Sequence, residues 1–134
     1  MSLPEEQPRY EIAYTERAEL ERDQVFLNLL RYHGTEFATR WYVGLEQRIA
    51  ELTGFPGPLA LAVDEQATGI YKEEVRRELY HGGKRQRTSA LTYRILFTIK
   101  PPFDARQPHT ILILRILHGS QSLSDPDNED APGG

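Results

Sequence analysis

Between Lys72 and Arg94 the chain carries seven bases, Lys72, Arg76, Arg77, Lys84, Arg85, Arg87 and Arg94, against three acids, Glu73, Glu74 and Glu78. These are the side chains best suited to chemistry, because cations aimed at phosphates displace counterions and give salt-dependent affinity for nucleic acid. Tyr80 and Tyr93 flank the densest part, Gly82 to Ala90, and an aromatic ring there can stack on a base. Composition alone equally fits a solvated hairpin tip kept soluble by its charge, with the two tyrosines as ordinary strand packing.

Other chemistries find less support. The chain has no cysteine, so disulfides, zinc–thiolate sites and thiol catalysis are excluded. His33, His81, His109 and His118 have no ligand spacing, and no pair stands i, i+4 on a helix. His118, at the end of an apolar run, reads either as a general base or as a structural turn residue. No Ser-His-Asp order, Gly-rich phosphate loop or paired-carboxylate motif stands out. Glu73-Glu74 reads as a solvated pair. Neither a metal nor a cofactor is expected.

The elements that must position the basic residues emerge from periodicity. Arg9 to Thr15 alternates, with Tyr10, Ile12 and Tyr14 on one side, which predicts a short strand. Thr15 suits an N-cap with Glu16 in the first turn. Ala18, Arg22, Val25, Leu29 and Tyr32, widened by Phe26 and Leu30, then mark an amphipathic helix ending at Gly34. Thr35 is expected to cap a second helix with Phe37, Trp41, Leu45, Ile49 and Leu52 on its apolar side. That helix should end at Thr53-Gly54-Phe55-Pro56, with Gly54 left-handed. A connection of about two residues between the helices predicts an antiparallel hairpin.

Residues 56–72, rich in Gly, Pro and Ala, read as a long loop with one helical turn near Asp64 to Ala67. Val75 to His81, Leu91 to Ile99 and Thr110 to His118 read as strands. Tyr93, Ile95, Phe97 and Ile99 share one face of their strand. The last strand is apolar on both faces around Arg115, which places it centrally. The fold class is therefore α+β, in the order β-α-α-β-β-β, with the helical hairpin on one face of a small, mainly antiparallel sheet.

Hydrophobic residues make up 39% of the 134, enough for one modest core. Residues 1–8 are expected to be a flexible N-terminus, 9–121 a single domain and 122–134 a disordered acidic tail, because neither end offers the apolar surface that would offset its ordering. Asp125, Asp127, Glu129 and Asp130 account for the whole formal charge of −4, so the remainder is neutral overall but uneven. With no signal-like stretch and no run long enough to span a bilayer, a cytoplasmic location without membrane association is expected.

In this order of elements the chain resembles the RelE/ParE superfamily of toxins from bacterial type II toxin–antitoxin (plasmid stabilisation) systems. The residues that carry the resemblance are Tyr10-Glu11-Ile12-Ala13-Tyr14, Phe55-Pro56-Gly57 and Val75-Arg76-Arg77, then Tyr93 to Ile99 and Ile113 to Gly119. Together they span about residues 9 to 121. The resemblance implies a cytoplasmic toxin neutralised by a small cognate antitoxin that wraps it. RelE-like members cut mRNA in the ribosomal A site with clustered Lys, Arg and Tyr, without metal. ParE-like members poison DNA gyrase and lack that cluster.

Under a RelE-like reading, Arg94 matches the strand arginine that stabilises the phosphate, Arg76 is the second-strand base, and His118 completes the catalytic set. The sequence departs from that pattern at Glu78, where another base is usual on the face of Arg76, and at Gln121, where a base usually comes after the His-Gly turn. No tyrosine comes after the last strand. An acid would repel the phosphate it should hold, so the ParE-like reading, a gyrase inhibitor, is favoured over an mRNA endoribonuclease or a degenerate member that only binds a partner. Arg77, Lys84, Arg85, Arg87 and Tyr93 are then expected to contact the target or nucleic acid. A sheet edge without a partner strand is expected either to dimerise or to receive the antitoxin.

Overall fold

A computed structural model describes residues 9–82, 92–119, 121 and 123. It is α+β, as the periodicity predicts. Strand β1 (Tyr10–Tyr14) leads into helices α1 (Glu16–His33) and α2 (Thr35–Ala50), then α3 (Glu65–Tyr71) and strands β2 (Arg76–His81), β3 (Thr92–Lys100) and β4 (His109–His118). The sheet order is β1-β4-β3-β2. β1 runs parallel to β4, while β4–β3 and β3–β2 are antiparallel. β4 is therefore central, which explains its apolar residues on both sides.

Thr15 caps α1 as expected: its Oγ1 accepts from the Ala18 amide at 3.0 Å and also donates to the Leu114 carbonyl at 3.0 Å, tying the helix start to β4. The joint to α2 is tighter than predicted. Gly34, at φ 92°, alone ends α1 and precedes α2, and Thr35 is already helical and makes no side-chain cap. A single-residue reversal needs a positive φ, which glycine reaches without a Cβ clash. After α2 the chain tightens into a 3-10 turn, Glu51–Thr53, and Gly54 is extended at φ −98°, not left-handed. The glycine with a positive φ in this stretch is Gly57, at φ 96° and ψ 172°.

The larger difference lies in residues 56–72. In place of a loop with one turn they form a 3-10 turn (Pro58–Ala60) and the seven-residue helix α3. Asp64 caps α3, with Oδ1 accepting from the Ala67 amide at 2.9 Å, and Lys72 closes it in the left-handed conformation. A helix this short has no intrinsic stability. It exists because Ala67 docks on Val75, Leu96, Leu114 and Leu117.

Both faces of the sheet are thus covered. On one, Trp41, Leu45 and Ile49 of α2 and Leu29 of α1 pack on Tyr80, Tyr93, Ile95, Phe97, Ile111, Ile113 and Ile116. On the other, α3 and Leu123 cover Leu96, Leu114 and Leu117. A bulge opposite Leu96 and Phe97 sets the register, since Phe97 pairs with Ile113 and Leu96 with Arg115 and Leu114 is left as the extra residue. β1 ends opposite Ile113, and Glu21 of α1 covers the stretch of β4 edge beyond it. Its Oε1 accepts from the Ile116 amide at 2.8 Å, and Oε2 takes Arg115 Nη2 at 2.6 Å and Nε at 2.9 Å. Arg115, 5% exposed, is a strut of this edge.

Candidate functional site

Among the described residues the bases of this stretch do not form one cluster; the register divides Arg76, Arg77 and Arg94 between the two faces. Arg77 is opposite Leu96 and Arg94 opposite Leu79, so Arg77 and Arg94 are diagonal neighbours on the α3 face. Both reach Asp64, which is 5% exposed. Its Oδ2 lies 3.8 Å from Arg77 Nη1 and 3.6 Å from Arg94 Nη1, while its Oδ1 is engaged as the cap of α3. Arg77 Nη1 also donates to the Val63 carbonyl at 3.2 Å, and Arg94 Nη2 to the Gln121 carbonyl at 2.7 Å.

Two guanidiniums face one carboxylate, and each Arg keeps part of its side chain at the surface, 39% for Arg77 and 20% for Arg94. Among the described residues this makes a small, preorganised patch of two guanidiniums on one carboxylate. Such a patch can hold an anionic group of a partner at little conformational cost. Lys84, Arg85 and Arg87 lie outside the described residues.

Arg76 and Tyr80 are on the hairpin face. Arg76 Nη1 donates to the carbonyls of Leu61 and Leu59, and Nη2 meets Glu74 Oε1 at 3.1 Å. Arg76 therefore fastens the segment before α3 to β2. Glu78 shares that face, as strand parity predicts, but it is paired: its Oε2 is 3.6 Å from Arg48 Nη1 of α2, and its Oε1 accepts from the Leu79 amide at 2.9 Å.

Tyr93, expected as a contact residue, is 4% exposed. Its ring packs edge-on against Trp41 at 5.4 Å and against His118 at 5.3 Å, and burial holds its hydroxyl pKa above the usual value. This is a correction: Tyr93 is a core residue and presents no face for stacking on a base. Tyr80, the other flanking ring, is likewise buried and donates its hydroxyl to the Trp41 carbonyl at 2.9 Å.

His118 is opposite Tyr93 and so lies on the hairpin face. It lines a cleft of about 370 Å³ between α1 and β4, with Glu21, Gln24, Asn28, Tyr93 and Gln121 among its neighbours. The His118 amide donates to Gln121 Oε1 at 2.8 Å, the arrangement of a turn anchor. His118 and Arg94 are thus on opposite faces, and Arg76 stands four β3 positions from His118 at the far side of a packed core, roughly 13 Å along the strand.

Asp64 is the site residue that sequence reasoning passed over. The available signal was Asp64 with Glu65 and Gln66 directly after it, an N-cap pattern, but no apolar periodicity beyond them marked a helix. Gln121 stood out only as a departure from the toxin pattern; here its backbone holds Arg94 and its side chain holds the His-Gly turn.

Among the described residues, no group of three His, Asp or Glu side chains is placed to hold a metal ion, and no helix is long and apolar enough to cross a membrane. No protein-family model matches the sequence, and no curated protein is significantly similar to it.

Proposed function

We propose that this chain is the toxin of a type II toxin–antitoxin pair and acts by docking on a macromolecular target, as ParE-like gyrase inhibitors do, until a cognate antitoxin covers it. One observation carries the choice of docking over catalysis: Arg94 and His118 stand on opposite faces of the sheet, and Arg76 is consumed by backbone carbonyls. Metal-free cleavage of RNA needs its bases and its proton carriers around a single phosphate, and these three residues do not meet. The helical hairpin on one face, a central last strand and an arginine pair on the opposite face support the ParE-like reading, under which the Arg77–Arg94 patch is the target contact.

The test is induction of the chain in bacteria, without antitoxin, alongside a gyrase supercoiling assay on the purified protein. Growth arrest with loss of supercoiling is expected. Unimpaired growth at confirmed expression would leave the degenerate, partner-binding reading in its place.

A further inference from the structure

Besides the cleft at His118, a concavity of about 350 Å³ lies at the end of the sheet where β1, β4 and β2 begin and β3 finishes. Its floor is apolar: Tyr10, Phe97 and Ile99 come from the hairpin face of the sheet, and Leu59 of the 3-10 turn Pro58–Ala60 forms an exposed flank. The Tyr10 and His109 rings meet edge-on at 6.1 Å, so one wall is aromatic. The polar rim is Glu73 and Glu74, and both carboxylates are engaged through Oε1. Glu73 Oε1 lies 2.6 Å from Lys100 Nζ, and Glu74 Oε1 lies 3.1 Å from Arg76 Nη2. Arg76 Nη1 donates to the carbonyls of Leu59 and Leu61, and the Thr98 hydroxyl to the Glu74 carbonyl at 2.9 Å. Arg76 Nε has no acceptor but is shut off from the surface. The accessible donors of the rim are therefore used within the protein. Oε2 of each carboxylate has no hydrogen-bond or ion-pair partner among the described residues.

We infer that this cleft is a binding site for a small primary amine with an aromatic body, an arylalkylammonium ion. Unengaged carboxylate oxygens beside an apolar floor call for a ligand that brings N–H donors and positive charge on one end and apolar surface on the other. The ammonium takes the Glu73 and Glu74 oxygens through charge-assisted hydrogen bonds, and the aromatic wall adds cation–π attraction. The ring of the ligand covers Phe97 and Ile99, which removes apolar surface from water. The volume stands at the lower end of small-molecule sites, which fits one ring on a short chain. The same two carboxylates reject an anion of equal shape. Neither Arg77 nor Arg94 lines the cleft, and it begins at His109, the opposite end of β4 from His118, so the inference stands independently of the toxin reading.

The test titrates phenethylamine into the full chain and follows backbone amides by NMR. Saturable shifts are expected at Tyr10, Thr98, Ile99 and His109, with the His118 amide unmoved. Phenylacetate, the anion of similar shape, should shift none of them. The Glu74 side chain is 58% exposed, and Glu74→Gln keeps an acceptor for Arg76, so the fold tolerates it. That variant should bind phenethylamine about fivefold more weakly. Glu51→Gln, an exposed acid outside the cleft, should bind it as the wild type does. The amide of Nα-acetyl-lysine, an ammonium without a ring, should bind about tenfold more weakly than phenethylamine.

Unmoved amides in the presence of phenethylamine would overturn the proposal. So would equal weakening in Glu74→Gln and Glu51→Gln, since that reports only net charge, or matching shifts with phenylacetate, since these report only the apolar body. Binding of the lysine amide as tight as that of phenethylamine would also overturn it, since that makes the cleft a seat for a lysine of a partner protein.

Discussion

Asp64 does two jobs with one carboxylate, capping α3 and restraining a pair of arginines, and the two can be separated. Asn caps a helix as well as Asp does, so Asp64→Asn should keep α3 while releasing Arg77 and Arg94 from their shared counter-ion. The expected outcome is a near-wild-type unfolding midpoint, higher affinity for duplex DNA, and a plot of log K against log salt that steepens by about one unit. Asp64→Ala should lose about 1 kcal/mol more from the missing cap. An unchanged salt slope in Asp64→Asn would mean that the carboxylate does not set the charge of the patch.

Tyr14 permits a second test on single residues. Burial, then the neighbouring Glu46, raises its pKa from 10.0 to about 12. The unfolded chain therefore ionises first as pH rises, and the stability that neutral Tyr14 contributes is complete below pH 10 and lost by about pH 12. Urea unfolding across that window should show a shallower decline for Tyr14→Phe than for the wild type, and parallel declines would refute the assignment.

Among the elements, the helical hairpin was legible because its apolar residues recur at the helical period, and β4 was legible as the central strand because no polar face interrupts it except at Arg115. What that arginine does was not legible. A charge amid Ile113, Leu114, Ile116 and Leu117 is tolerable only with a partner, and the partner, Glu21, is 94 residues away in sequence.

Removing Glu21 tests the strut. Glu21→Ala leaves Arg115 in the interior without its carboxylate, with Tyr71 as its remaining side-chain partner, and frees the Ile116 amide, and it should cost about 3–5 kcal/mol in chemical denaturation. The double change Glu21→Leu, Arg115→Met should recover most of that loss, and a single change costing under about 1 kcal/mol would assign the pair to the surface class.

The helix α3 was legible only as one turn near Asp64 to Ala67: seven residues give too few turns for a periodic signal, and its stability comes from tertiary docking. The division of the arginines between faces was half legible. Parity within β2 places Arg76 with Glu78 and against Arg77. Whether Arg94 joins one or the other depends on the β2–β3 register, which is set by cross-strand packing and the intervening connection.

Taken whole, the described residues form a four-stranded sheet clothed on both sides, with the Arg77–Arg94 pair on the α3 face. The proposed docking function rests on that division of residues between the faces. The most direct measurement is a paired readout after induction of the wild type and of Arg94→Ala: mapping of mRNA 5′ ends in the cell, and supercoiling by gyrase incubated with each purified protein. The docking account predicts that the wild type stops growth and blocks supercoiling without producing new mRNA ends, and that Arg94→Ala loses both effects while remaining folded. Fresh cleavage at ribosomal A-site codons with supercoiling intact, or full toxicity in Arg94→Ala, would contradict it.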